Sequence, residues 1–523
     1  MRRLLVLCLL PACAGAPPAP APAPPAPSPP AASAPLPASP AAPRYAAAFE
    51  ELLRRIERDH VFPPRYARDV GHAFRDDVPL LRAEMERAED RTAALIALRH
   101  VQNSLRDVHC HLDPPGDLPR RRLTLGVRLW SWGTAAAPEV RVVAITDPGA
   151  KPSIAVGDAV VSVDGAAVAA WVAAHPFETA ALPPDRWLGE TAKNIASVDL
   201  PWSAVHEGDA RTLGVVHEGA RREVTLHFRR HFPEAAEPDL DHPPPMASVD
   251  CDASAPVDYG DYALAAIGVN VCIYQPKKPA RPRVPVVRYP SFLYGEEPAQ
   301  SLRMVHADHE ILTRALRDAD GVVLDVSQNH GGNNPFIFAG WFSSGPWDHE
   351  RVVTRVIPGL DAATVSEVMW GEEHVQGYLD AQKAGRPTVL TRFLCAPGHC
   401  DGIAPAATER VTRAPVALIT GPGCASSCDS LALTWATFHL GPVLGKQPMH
   451  AYTVNRLPLH VAGPASEDLG RFRVAVSQSE MREGVSIEGE PLRLDWEAKE
   501  TFASRETWVR EAVEEAKRRL VKR

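Results

Sequence analysis

The residues of this 523-residue chain whose types and spacing could do chemistry fall in two glycine-rich segments and one histidine-rich one. The segment Ala414-Pro-Val-Ala-Leu-Ile-Thr-Gly-Pro-Gly-Cys-Ala-Ser-Ser-Cys-Asp429 runs an apolar strand into a turn of small residues, with a helix predicted to begin near Ser427. A serine on such a turn, Ser426, is presented at the carboxyl end of a strand, where the helix N-terminus favours developing negative charge. The alternative for Ser426 is a buried helix-capping serine in an inactive chain. The segment Gly321-Val-Val-Leu-Asp-Val-Ser-Gln-Asn-His-Gly-Gly-Asn333 ends another apolar strand in a loop with paired glycines, which lets backbone N–H groups approach a bound group closely. The third segment, His109-Cys-His-Leu-Asp113, has the H-x-H-x-D spacing that opens many metallohydrolase sites. Here Pro114 follows the Asp and a helix precedes it, so the reading is no metal and no cofactor; the pair His306 and His309 reads as polar helix surface.

These loops need elements to hold them. Residues 45–118 read as a helical N-terminal region: Phe49, Leu52, Leu53 and Ile56 recur at i, i+3, i+4 and i+7, and Ala94, Leu98, Val101 and Leu105 repeat the stripe. Residues 119–230 read as a small β-rich domain, with Val140–Ile145 and Ala159–Val163 as its clearest strands and Gly-Asp and Asp-Gly turns between them. Residues 231–283, rich in Pro, Asp and Ala, read as a connection. Residues 284–500 alternate buried strands with helices (Leu302–Leu316 and Leu431–Leu440 predicted helical), which argues for an α/β core. Residues 501–523 read as a charged, exposed C-terminal helix.

The two glycine and serine segments, in this order, resemble the tail-specific (C-terminal processing) peptidases and the related tricorn core peptidases. Leu324-Asp-Val-Ser-Gln-Asn-His-Gly-Gly332 stands where that family has "Asp-Leu-Arg-x-Asn-x-Gly-Gly", and Cys424-Ala-Ser-Ser-Cys-Asp429 where it has "Thr/Ser-Ala-Ser-Ala-x-Glu". The resemblance implies an α/β, ClpP/crotonase-like catalytic core and a serine endopeptidase with Ser426 as nucleophile. It implies an oxyanion hole formed by the Ser427 N–H with that of Gly331 or Gly332. The run from Ile145 to Gly165 resembles the middle of a PDZ domain, which holds peptide tails. Processing peptidases use a lysine about 25 residues after the serine; that count lands on Ala451, and Lys446 is the nearest lysine. The tricorn-like branch uses a histidine from "Leu-x-Asp-x-His-Thr-x-Leu", which Leu105-Arg-Asp-Val-His-Cys-His-Leu112 matches at His109, with His111 as competitor. Its glutamate matches Glu488, with Glu483 as alternative. Ser427 as an oxyanion donor, His109 as base and Glu488 as orienting group make up the implied site. Ser327, Cys424 and Asp429 depart from the family pattern, which keeps alive a catalytically inactive peptide- or ligand-binding protein on the same fold.

Arg2 and Arg3 before the apolar run Leu4–Leu10 have the shape of a secretory signal over residues 1–12, and Leu10-Pro-Ala-Cys13 resembles a lipobox. Residues 13–44, almost only Ala, Pro and Ser, read as an extended tether. The expectation is an exported, periplasmic or envelope protein that touches membrane only through a lipid on Cys13. Pairs 251/272, 395/400 and 424/428 are the expected disulfides, leaving Cys110 odd. A net charge of −8 gives no sign of nucleic-acid binding, and the expected partner is a peptide or protein substrate. The sequence carries no signal of oligomeric state.

Overall fold

In the N-terminal region the apolar stripe becomes three helices. The first, α1 (Ala46–Asp59), buries Phe49, Leu52, Leu53 and Ile56, the four positions of the stripe. It is followed by α2 (Phe74–Arg87) and α3 (Arg91–Ser104). Asp90 caps α3 by accepting the Ala93 N–H at 2.8 Å, satisfying one of the donors a helix start leaves orphaned. After α3 the chain turns at Arg106 and enters the short strand β1 (His111–Asp113). The structure, a computed structural model, describes residues 44–61, 74–118, 121–151, 153–180, 184–230, 251, 257–278, 281–294, 298–332, 335–343, 351–369, 372–392, 409–482, 485–486 and 491–521. The expected signal, lipobox and tether, the 395/400 cysteines, Glu483 and Glu488 lie outside them.

The β-rich stretch contains β2 (Arg121–Thr124), β3 (Val127–Thr134), β4 (Ala137–Ile145), β5 (Ala159–Val163), β6 (Ala166–Ala167), α4 (Val168–Ala174), α5 (Pro184–Ala196), β7 (Ser197–Leu200), β8 (Ala210–His217), β9 (Ala220–His227) and β10 (Arg229–Arg230). Among the described residues, one antiparallel sheet runs β3-β4-β5-β8-β9 with β6 on β5, and a smaller one runs β10-β2-β7. Leu129, Val142, Val163 and Leu213 are buried on the sheet beneath Leu188 and Ile195 of α5. Gly189 lets that helix approach: a Cβ there would meet the Trp130 ring at 2.4 Å.

Then follow β11 (Tyr262–Ile267), β12 (Cys272–Pro276), β13 (Val286–Arg288), α6 (Pro298–Leu316), β14 (Val322–Asp325), α7 (Pro335–Phe342), β15 (Arg351–Arg355), α8 (Ala362–Val368), α9 (Glu372–Lys383), β16 (Thr388–Arg392), β17 (Val416–Thr420), α10 (Ser427–Thr437), β18 (Val443–Gly445), β19 (Thr453–Ala462), β20 (Asp468–Arg482), β21 (Val485–Ser486), β22 (Trp496–Glu497) and α11 (Trp508–Val521). The mixed α/β core is thus present. Its described strands run β11-β12-β13-β14-β17-β18-β22, antiparallel through β13 and parallel from β13 onward. Every residue of β14 and β17 is buried, the continuous apolar reading that a parallel sheet covered on both faces demands. Residues of α6, α7 and α10 cover one face, and α11 covers the other.

Two expectations need correction, and one feature is new. The stretch read as a connection supplies the hairpin β11–β12, joined to Cys251 by the Cys251–Cys272 disulfide; its proline-rich flanks masked a short strand pair in the sequence. The C-terminal helix is not simply exposed, because Trp508, Val509, Ala512, Val513, Ala516 and Leu520 pack on the core sheet. A second sheet, β1-β20-β15-β16 with β19 and β21 on β20, was not anticipated. That sheet shares one apolar core with α1–α3 and so ties the helical region to the α/β core.

Candidate active site

Strand β17 delivers the chain into a turn that ends at Ser426, the residue before α10. Ser426 has φ 58° and ψ −120°, a conformation L-residues with side chains avoid. Holding it costs about 1–3 kcal/mol and persists only where the surroundings over-determine it. Such a strained strand-to-helix turn is how nucleophile elbows lift a serine hydroxyl clear of the backbone. Three features impose it here. The Cys424–Cys428 disulfide closes a ring that contains Ser426 and Ser427. The Cys428 N–H donates to Ala425 O at 3.0 Å. The Ala425 N–H donates to Asn329 O, also at 3.0 Å. The adjacent serines are thereby distinguished: Ser427 is buried and its Oγ donates to Gly332 O at 2.7 Å, whereas Ser426 is part-exposed and its Oγ has no partner among the described residues.

The loop after β14 is stacked against this turn. The Gly423 N–H donates to Ser327 O at 3.0 Å, and a Cβ on Gly421 would lie 2.8 Å from Ser327 Cβ. Glycine is therefore needed at position 421, beside the serine that stands where the family pattern has arginine. Asn329 is buried and braces the loop, donating to Tyr289 O at 2.7 Å and accepting the Gly331 N–H at 2.8 Å. Gly331 (φ 88°) touches the Ser426 turn so closely that a Cβ would meet Ala425 O at 2.6 Å and Ser427 N at 3.0 Å. Its N–H is thus occupied by Asn329. The N–H groups of Gly332 and Ser427 have no partner among the described residues, which separates the two glycines expected to share the oxyanion role.

His109 lies in the bend between α3 and β1 and keeps 18% of its side chain exposed. Its Nδ1 is 3.0 Å from the hydroxyl of Thr453, which itself donates to Asp107 Oδ1 at 2.8 Å. Burial lowers the proton affinity of His109, with the charges of Arg456 and His111 acting the same way and Asp107 opposing them. Burial thus favours the neutral imidazole, the state a general base requires. His111 faces elsewhere, with Nε2 3.4 Å from Asp113 and Nδ1 3.3 Å from Arg456.

Ser426 and His109 are not hydrogen-bonded to each other, as is common before substrate binds. What joins them is the segment 449–453. The Met449 N–H donates to Cys424 O at 2.8 Å, and the His450 and Ala451 N–H groups donate to the Asp429 carboxylate at 2.9 and 3.1 Å. Thr453 then reaches His109. Asp429, where the family pattern has glutamate, anchors this strap from the first turn of α10. A cavity of about 350 Å³ is lined among others by Val108, next to His109 in the chain, and by Met449 of the strap, with Gln102, Asn103, Arg186 and Glu190; Ser426 and His109 themselves do not line it.

Lys446 does not approach the serine in this way. Its ammonium pairs with Glu500 at 2.5 Å and lies 3.7 Å from Asp185. A lysine engaged by two carboxylates is not poised to take the Ser426 proton, so Lys446→Met is expected to leave peptide hydrolysis within about threefold of the parent, whereas a Ser–Lys dyad predicts near-complete loss; steady-state kinetics on one peptide decide.

Sequence reasoning assigned no role to Asp107, His60, Thr453 or His450. Asp107 stands inside the stretch that pointed to His109, two residues before it. Thr453 and His60 carry no signal in the sequence and join the site only through packing. His450, next to the position where a lysine was sought, is buried on the strap held by Asp429.

No known sequence family and no curated protein sequence matches this chain. Its fold, however, is shared with solved structures. Mature CPAF aligns over 92% of this chain and 97% of its own, with a TM-score of 0.64 at 13% identity. Mature CPAF complexed with lactacystin aligns over 92% and 98%, with a TM-score of 0.65 at 13% identity. A serine-to-alanine mutant of CPAF aligns over 92% and 97%, with a TM-score of 0.61 at 12% identity. The resemblance read from the two loops therefore holds at the level of the fold.

Proposed function

We propose that this protein is a serine endopeptidase in which Ser426 attacks the peptide carbonyl, His109 removes the serine proton and returns it to the leaving amine, and the N–H groups of Ser427 and Gly332 receive the oxyanion. The observation that carries this reading is the strained turn at Ser426, held by a disulfide ring and by a glycine loop stacked on it. A strained, part-exposed serine between a buried strand and a helix N-terminus has no packing purpose that an alanine would not serve.

The remaining parts fit the same reading. The core is taken as ClpP/crotonase-like, and the β3–β9 unit with α5 as a PDZ-like module that presents a peptide tail to the cleft. Two disulfides among the described residues suit an oxidising compartment, in keeping with export and a lipid on Cys13. Substrates are then peptides or proteins of the cell envelope.

A fluorophosphonate probe tests the reading directly. Covalent labelling that maps by mass spectrometry to Ser426 is the expected result. A folded protein that remains unlabelled, yet binds peptides, would instead be a binding protein on this fold.

A further inference from the structure

Asp107 is a buried carboxylate held by four groups. It is fully buried, and each oxygen receives two groups. Oδ1 accepts the Thr453 hydroxyl at 2.8 Å and the His109 backbone N–H at 2.8 Å. Oδ2 accepts the Cys110 thiol at 3.4 Å and lies 3.3 Å from Nε2 of the buried His60. Burial works against the carboxylate, but the hydrogen bond and charge of His60, followed by His109, hold it well below the usual carboxylate range. Cys110 is itself fixed, accepting the Ala475 N–H at Sγ at 3.3 Å. A buried charge so fully hydrogen-bonded is costly to build and strongly destabilising to leave half-paired, so the bond it makes toward the candidate site is informative. That bond runs through Thr453 to His109.

We infer that Asp107, acting through the hydroxyl of Thr453, is the anionic partner that orients His109 for catalysis. The proposal rests on the reading of Ser426 and His109 as nucleophile and base. The proton positions follow from the geometry. Thr453 has one hydroxyl proton, and Asp107, an acceptor only, takes it. The Thr453 oxygen is then the acceptor for Nδ1–H of His109. This fixes the tautomer with the lone pair on Nε2, the nitrogen with no partner among the described residues. When Ser426 Oγ bonds to the substrate carbonyl carbon, its proton moves to Nε2. The imidazolium charge that results is stabilised by Asp107 across the Thr453 bridge. The same proton leaves with the amine as the carbon–nitrogen bond breaks. Asp107 and Thr453 are thus positioning residues, and the role expected of Glu488 falls to a carboxylate two residues from the base itself. His60 and Cys110 bring potential ligand atoms within 4.8 Å of Asp107 and of each other, and on this reading they serve as its fixed hydrogen-bond shell.

The test is a series of variants in the full chain, each checked for folding by its thermal transition and for nucleophile integrity by fluorophosphonate labelling. Thr453→Val, which removes the bridge and keeps the shape, should lower kcat about 10²-fold with KM unchanged, and Thr453→Ser should restore it. Asp107→Asn should lower kcat by at least as much. It should also move the acid limb of the kcat–pH profile to lower pH, because removing the carboxylate takes away the one charge that raises the proton affinity of His109. A merely structural role would lower stability without shifting that limb. Full activity in folded Thr453→Val overturns the proposal, as does loss of activity on Glu488→Gln with Asp107→Asn unaffected, or on His450→Gln with His109→Gln unaffected. Absence of labelling in the parent protein would instead mark failure of the serine-peptidase reading, so the two outcomes are separable.

Discussion

Ser426→Ala is expected to reduce peptide hydrolysis by about 10⁴- to 10⁶-fold while leaving the thermal transition unchanged or slightly raised. The activity side follows from chemistry: without Oγ no acyl-enzyme forms, and only the oxyanion donors and the binding cleft remain to act. The stability side follows from the environment. Ser426 Oγ has no partner to lose, and alanine at φ 58° bears the same Cβ strain as serine, so nothing in the turn is relaxed or broken. The contrast with its neighbour sharpens the assignment. Ser427→Ala removes a 2.7 Å bond to Gly332 O between the two loops and should cost stability of about 1 kcal/mol. Parallel measurement of the rate and the melting temperature for both variants settles which serine is the nucleophile. Retained hydrolysis in Ser426→Ala ends the proposal.

Gly331→Ala is the second large effect, and here activity and architecture fall together. The new Cβ would sit 2.6 Å from Ala425 O, 3.0 Å from Ser426 Cβ and 3.0 Å from Ser427 N, three atoms of the nucleophile turn itself. Two of the three are backbone, so relief must come from moving the turn or the loop, and φ 88° adds further strain for any side chain. The expected result is loss of at least about 10²-fold in kcat, the scale of a misplaced oxyanion donor. Fluorophosphonate labelling should slow in proportion, since the serine and its donors are displaced with respect to each other. Gly359→Ala is the matched control. It also has positive φ, but nothing lies within 4 Å of its Cβ, so it should cost stability alone. Equal labelling rates for the two variants would show that Gly331 is not part of the oxyanion geometry.

The parts of this protein that the sequence determined by itself are those set by local pattern. The apolar stripe from Phe49 to Ile56 is a helix because its spacing matches the helical period, and β14 and β17 are strands because short, largely apolar runs must be buried on both faces. Ser426 and the paired glycines could be marked as candidates because a turn of small residues after such a strand is locally defined. The 251/272 and 424/428 disulfides were legible for the same reason, their partners being near in the chain. What only the tertiary structure decided is everything that depends on long-range register. The hairpin β11–β12 was hidden in a proline-rich stretch because its pairing partner, β13, lies beyond more prolines. The outward and inward faces of α11 are distinguished only by the sheet it covers. Above all, the surroundings of His109 come from sequence positions that carry no mark of one another. Thr453 reaches it from β19, His60 at the end of α1 meets the neighbouring Asp107, and the strap that leads into Thr453 is tied to Asp429 in α10. A side chain's tautomer and charge are fixed by the groups within a few ångströms, and in a folded chain those groups are neighbours in space, where the sequence alone leaves them hundreds of residues apart.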